Sequence, residues 1–459
     1  MFPEITVQPP GPESKALAGE LARYENRNVT FLGTDFPVFW ERGEGVNIWD
    51  VDGNRYLDLT AGFAVAAHGH ARPEIVAAAQ AQAQRLGHAM GDVHPTAAKA
   101  ELCRKLSELT FERWHLGPAR TTLANSGFEA VEVALKTSLL HSGKAGVIAF
   151  QGGYHGLGYG TLNAIGIEWF REPFREHLRD FTLHVPYPGC FRCPFGRTEG
   201  YRLEGGAFPN CSASCLERIE EDILKIIRQR PIGCILVEPC QGRGGEIVPP
   251  LDFLRLLRHL CDTYKILLVF DEIYTGFNRT GKLFAADWFQ VYPDLICLGK
   301  ALTTGFPLSA CVGRAEVMTA WPRSSGEALH TSTFLGNPVG CAMALASLKL
   351  HLDPALPGRI RQLGRHFLGR LRALDAPALG HARGLGLMLG AELVHPDGQP
   401  NPKLAFQVVT QALRDGLLLL GGGPHGNVLS FTPPFCITRE EIDHACNSLQ
   451  EYLRLGSVS

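Results

Sequence analysis

Three short, uninterrupted apolar runs constrain this chain most. Residues 147–150 (Val-Ile-Ala-Phe), 234–237 (Cys-Ile-Leu-Val) and 266–270 (Ile-Leu-Leu-Val-Phe) carry no polar alternation. A strand with one wet face alternates, whereas a strand covered on both faces reads as a continuous apolar run. The runs therefore predict a parallel sheet with helices on both sides. Between about 120 and 310 such runs alternate with helical segments, which is the pattern of a doubly wound α/β domain. Polar residues stand directly after each run: Gln151, Glu238 and Asp271. In open α/β sheets ligands bind beyond the carboxyl ends of the strands, so the polar residues there converge on one site.

The rest of the chain is organised around that sheet. Asp52-Gly-Asn54 inside an alternating stretch predicts a hairpin, and 73–110 reads as helix. A long apolar helix is predicted over 337–352, with Pro338 in its first turn. After about 355 short helices give way to strand-like segments of a smaller α+β domain. The expected division is 1–69 as an N-terminal part of the small domain, 70–350 as the large domain with a cysteine-containing insertion at 190–215, and 351–459 as the C-terminal small domain. At 459 residues the chain is long enough for more than one compact unit. A formal net charge of −2 gives no pull toward nucleic acid or an anionic membrane. No signal-peptide pattern and no membrane-length apolar run stand in the sequence, so a cytoplasmic location is expected.

Lys300 follows the apolar stretch Leu-Ile-Cys-Leu-Gly, and Asp271 follows Leu-Leu-Val-Phe. A strand-end lysine can form an imine with an aldehyde, and a strand-end carboxylate can keep a pyridine nitrogen protonated. Those are the two ends of a pyridoxal 5′-phosphate (PLP) site. Asn125-Ser126-Gly127-Phe128 opens a helix and offers backbone N–H groups to a phosphate, although the same string also serves as an ordinary N-cap. Tyr154 and His155 in Gly-Gly-Tyr-His-Gly offer a ring to stack on a planar cofactor, or simply an aromatic packed in a turn.

Read together, Asn-Ser-Gly-x-Glu-Ala, Gly-Gly-Tyr-His-Gly, Glu-Pro-x-Gln-Gly, Asp-Glu-Ile-x-Thr-Gly-Phe-x-Arg-Thr-Gly, Pro-Asp-Leu-x-x-x-Gly-Lys and Ser-Thr-Phe-x-Gly-Asn-Pro occur in that order. The chain resembles a class III (ω-type) aminotransferase of the fold-type I PLP superfamily from about Pro37 onward, and most resembles the amine transaminases. The resemblance implies Lys300 as the covalent tether and proton carrier and Asp271 as the partner of the ring nitrogen. Tyr154 would stack on the ring, with His155 and Ile273 among the cofactor contacts. Ser126, Gly127 and Phe128 would meet the phosphate, and Gln241 and Glu238 would lie near the ring hydroxyl. Ser332 and Thr333 would reach the phosphate of a neighbouring subunit, which implies a homodimer or a tetramer built from dimers. The implied reaction is ping-pong transamination through pyridoxamine phosphate. An aminomutase, an epimerase or a decarboxylase shares the same lysine and aspartate, and a silent PLP-binding protein is the rival from another class.

Departures from the family pattern speak to substrate. Ser430 in Asn-Val-Leu-Ser-Phe-Thr-Pro-Pro and Leu157 after Tyr-His-Gly stand where resembling enzymes of amino acids place arginines. Neither residue offers the guanidinium fork that grips a carboxylate. The expected donor is a primary amine, a diamine or a hydrophobic ω-amine, with Phe39, Phe63 and Tyr154 as pocket walls. Pyruvate or 2-oxoglutarate as acceptor would then need another cation, for which Arg243, His425 and Arg171 are the candidates. Tyr274 stands where the pattern usually has Gln. Finally, Cys190, Cys193, Cys211 and Cys215 fall at a C-x2-C-x17-C-x3-C spacing, open to a structural zinc, to disulfides or to free thiols.

Overall fold

The structure, a computed structural model, describes residues 1–195 and 213–455. It divides into two compact units, one formed by Met1–Pro73 with Ile360–Ser459 and the other by Glu74–Arg359.

The larger unit is built on seven strands: β1 (Ala119–Ala124), β2 (Gly146–Phe150), β3 (Thr182–Val185), β4 (Ile232–Val237), β5 (Leu267–Asp271), β6 (Leu295–Leu298) and β7 (Ser309–Arg314). Their order across the sheet is β1-β7-β6-β5-β4-β2-β3. β7 alone runs opposite to the other six strands. The apolar runs thus become central strands, and every residue of β4, β5 and β6 is buried. Helix α1 (Gly127–Ser142) lays Ala130, Val131, Val133 and Ala134 on Val147, Leu236, Val269 and Cys297 of the sheet. Burying each Val or Leu of this layer contributes about 1.5–3 kcal/mol. The predicted apolar helix is Pro338–His351, and the Asn337 side chain caps it by accepting from the N–H of Val339 and Gly340.

The smaller unit holds two four-stranded sheets. In one, the hairpin expected at Asp52-Gly-Asn54 joins Asn47–Asp50 to Arg55–Asp58. The Asp50 carboxylate shapes its turn by accepting from the backbone N–H of Asp52 (3.0 Å) and Asn54 (2.8 Å) and from the Tyr56 hydroxyl (2.7 Å). The other sheet pairs Leu379–Leu385, Met388–Leu393, Val428–Phe431 and Leu420–Gly422, with Phe431 packed edge-on against Phe367 of helix Leu356–Arg372. Among the described residues no helix is long and apolar enough to cross a membrane.

Candidate active site

Strand register brings the site together. Val237 of β4 lies opposite Phe270 of β5, and Asp271 lies opposite Cys297 of β6. Glu238, Asp271 and the Gly299-Lys300 step therefore leave the same edge of the sheet side by side. The ends of β1 and β2 face the same way, adding Ser126–Phe128 and the loop of Tyr154.

Asp271 is buried, and each of its oxygens has one partner. Its Oδ2 lies 2.8 Å from Nδ1 of the buried His155, and its Oδ1 accepts from the Ile273 N–H at 3.1 Å. With a carboxylate as partner, Nδ1 of the imidazole carries the proton and donates it. Glu238 is a second buried carboxylate. Its two oxygens accept from the N–H of Tyr154 and of Gly242, each at 2.9 Å, and so tie the β2 loop to the β4 loop. Burial pushes the Glu238 carboxyl up to about 7, with His155 and these amides opposing and the Asp271 charge adding to the rise. Gln241 donates from Nε2 to the Gln151 carbonyl at 2.8 Å, a further tie between the two loops.

Lys300 begins a short 3-10 turn with φ +39°, a left-handed conformation that a residue with a Cβ rarely adopts. Its Nζ lies 4.8 Å from the centre of the Tyr274 ring, whose hydroxyl donates to Glu246 at 3.3 Å. Burial lowers the Lys300 amine below the ordinary 10.5, while Asp271 and Glu238 hold it up. A lowered value means that a larger share of the amine is neutral, and therefore nucleophilic, at any given pH. Covalent capture of an aldehyde by the apoprotein is thus expected to rise with pH and level off below pH 10.5. Borohydride trapping and mass spectrometry across a pH series would check this; a rate still climbing above that value would refute it.

At the start of α1, Glu129 takes the N–H of Asn125 (2.9 Å), the N–H of Ser126 (2.7 Å) and the Ser126 hydroxyl (3.0 Å). The Ser126 hydroxyl is thus occupied within its own turn, and the amides of Gly127 and Phe128 are the donors this helix end presents. A Cβ on Gly127 would come within 3.0 Å of the Ile273 side chain, so glycine is what lets the turn sit down on the residue that follows the Asp271 strand. The Asn125 amide donates to Ser332 Oγ at 3.1 Å, placing Ser332, with Thr333 next in the chain, beside this turn. Tyr154 is half-buried and packs edge-on against Phe170 at 5.5 Å.

The residue types fit PLP: an amine made more nucleophilic by burial, a carboxylate fixed by two donors, a ring-bearing loop, and a helix start narrowed by the absent Gly127 side chain. Lys300 would hold the aldehyde carbon, Asp271 the ring nitrogen, and the Gly127 and Phe128 amides the phosphate. The family model for aminotransferase class-III matches residues 32–453. The chain belongs to the class III aminotransferases. The enzyme is 33% identical over 99% of its length to the alanine/serine racemase of Pyrococcus horikoshii, covering 93% of it. It is 35% identical over 90% of its length to the 4-aminobutyrate aminotransferase of Escherichia coli, covering 92% of it. Among solved structures it is similar to an (S)-enantioselective ω-transaminase from Thermomicrobium roseum, with TM-score 0.86 and 27% identity, covering 96% of this chain and 98% of that one. The PLP-bound amine transaminase from an uncultivated Pseudomonas species gives TM-score 0.84 and 29% identity, covering 94% and 98%. The aminotransferase is accordingly a PLP-dependent enzyme of the fold-type I superfamily.

The remaining candidate residues divide between the two units. Leu157 is 53% exposed just past the Tyr154 loop. Phe39, Phe63, His425 and Ser430 belong to the smaller unit. There Phe63 is 57% exposed with φ +62°, so it is not a core residue of that unit, and Ser430 is half-buried in strand Val428–Phe431. The zinc reading gains no support. Cys215 is buried on helix Ala213–Gln229, Cys190 and Cys193 are half-buried, and Cys211 lies outside the described residues. Among the described residues no three His, Cys, Asp or Glu side chains gather as a metal site. Sequence reasoning missed Glu129, although Ser126-x-x-Glu129 has the capping-box spacing that announces it. It also missed the pairing of Tyr274 with Lys300, for which the sequence carries no signal.

Proposed function

We propose that the enzyme takes an amino group from a primary amine, a diamine or a hydrophobic ω-amine and passes it to an oxo acid such as pyruvate or 2-oxoglutarate. The observation that carries this reading is the burial-lowered Lys300 amine beside an Asp271 held by His155. PLP supplies an aldehyde for the incoming amine and a ring that withdraws electrons when its nitrogen is protonated. Asp271, fixed by His155, would stabilise a positive ring nitrogen. The neutral Lys300 amine would take the proton from the substrate carbon that bears the amino group and return it later. Tyr154 would offer its face to the ring, and the Gly127 and Phe128 amides would hold the phosphate. Ser430 and Leu157 support a donor without a carboxylate, because neither offers a charge. The amine and ω-transaminase neighbours agree with it. Ser332 and Thr333 reaching a neighbouring site in a cytoplasmic homodimer belong to the same reading, by resemblance to the family.

One observation favours a second reading. The alanine/serine racemase relative spans nearly the whole chain, and racemisation uses the same lysine and aspartate. Absorbance of the purified holoenzyme mixed with single donors and no acceptor separates the two. Conversion of the visible cofactor band by carboxylate-free amines, with 4-aminobutyrate inert, is the expected result. Conversion by amino acids alone would overturn the substrate assignment. Inversion of alanine or serine with no oxo acid and no lasting spectral change would favour the racemase.

A further inference from the structure

The turn after β4 carries a guanidinium that the site described above leaves without a task. Gln241 and Ile247 exchange both backbone hydrogen bonds, at 3.0 and 2.9 Å, and the Gly242 carbonyl accepts from the N–H of Gly245 (2.8 Å) and Glu246 (3.1 Å). The backbone of this turn is wedged. A Cβ on Gly242 would stand 2.9 Å from the Tyr274 ring, and one on Gly244 would stand 2.8 Å from the Gly152 carbonyl. Arg243, between these two glycines, is exposed. It therefore projects from a rigid mount that touches the Tyr154 loop on one side and, on the other, the ring that faces Lys300 Nζ.

The Arg243 guanidinium lies 5.8 Å from the centre of the Phe170 ring, which in turn packs on Tyr154. Burial raises the Tyr154 hydroxyl and the Arg243 charge opposes that rise, so the guanidinium field reaches the residue expected to lie on the cofactor ring. Among the described residues Arg243 makes no ion pair. Of the other two candidate cations, Arg171 is engaged by Glu168 at 3.3 Å, and His425 belongs to the smaller unit. An arriving carboxylate would thus break no salt bridge at Arg243, and the aromatic face favours the cation over a flat, partly dry surface.

We propose that Arg243 is the specificity residue that holds the carboxylate of the oxo-acid acceptor. The proposal rests on the aminotransferase reading. It accounts for an enzyme whose expected arginines are replaced by Ser430 and Leu157 and which still handles an acid in the second half of its cycle.

The test measures the two half-reactions of the holoenzyme separately, with a carboxylate-free amine as donor and then 2-oxoglutarate as acceptor. A charge-assisted bidentate pair leads us to expect about a 30-fold or greater loss of acceptor efficiency relative to donor efficiency in Arg243→Gln. The affinity of glutarate, a dicarboxylate that cannot react, should fall by a similar factor in calorimetry, and Arg243→Lys should recover part of both. Equal losses in the two half-reactions with unchanged glutarate affinity would show a merely structural residue and overturn the proposal. Unchanged acceptor efficiency would overturn it as well. If no amine converts the wild-type enzyme in the absence of acceptor, the aminotransferase reading itself has failed, and that outcome is visible before any variant is made.

Discussion

Lys300→Ala is expected to lose turnover by about 10⁴-fold or more, because the residue carries both the covalent attachment and the proton transfer. The geometry makes this loss hard to compensate. Lys300 Nζ lies against the Tyr274 ring, and the Asp271 and Glu238 charges oppose the effect of its burial. Neither carboxylate is free to take over: Asp271 is occupied by His155 and Ile273, and Glu238 by two backbone amides. The variant should still bind PLP through the phosphate and ring contacts, with no adduct trapped by borohydride. Since residue 300 sits at φ +39°, Lys300→Gly should be the more stable of two equally dead variants, by about 1 kcal/mol. Turnover within tenfold of wild type in either variant would remove Lys300 from the chemistry.

Asp271→Asn is expected to lower the amine half-reaction by roughly 10³-fold. Two unit charges about 4 Å apart at an effective dielectric of about 20 interact by ~4 kcal/mol, and each ~1.4 kcal/mol is tenfold in rate. Removing the Asp271 charge removes that preference for the protonated ring. It also removes one of the two charges that hold the Lys300 amine up, so the plateau of aldehyde capture should move to lower pH in this variant. His155 acts through Asp271. Its loss in His155→Phe leaves the carboxylate in place but one donor short, and about a ten- to hundredfold decrease follows from a charged hydrogen bond. The same change should shift the pH at which the bound cofactor's ring spectrum titrates, which a merely structural role would not do. A wild-type rate in Asp271→Asn would contradict the assignment of Asp271.

What the sequence reveals here is the backbone frame, because burial on both faces leaves a compositional trace. The runs at 147–150, 234–237 and 266–270 all became central strands, and the polar residues after them all reached one edge. What it conceals is which side chain answers which. His155 was legible as a member of the site, yet its partnership with Asp271 depends on how a loop folds back across the strand ends. Ser126 was legible as a phosphate donor, but the structure commits its hydroxyl to Glu129. Arg243, Arg171 and His425 were indistinguishable as cations in one dimension. Their neighbours in space, a Glu168 carboxylate for one and an aromatic ring for another, tell them apart. Phe39, Phe63 and Ser430 stand out only by their position against the family pattern, and within the smaller unit they are half-buried, exposed and half-buried.

The convergence of strand ends has a consequence for when the site exists at all. The ties between its strand-end loops are not local: Tyr154 and Glu238 are 84 residues apart, and His155 and Asp271 are 116. Such pairs form only after long loops have closed, which places them late in folding. A half-zipped sheet offers no cofactor pocket, so PLP has nothing to stabilise until the last central strand is home. From that moment, cofactor at a thousand times its dissociation constant adds about 4 kcal/mol to the finished fold alone. The supply of a vitamin is thereby coupled to how long each copy of this protein survives in the cell.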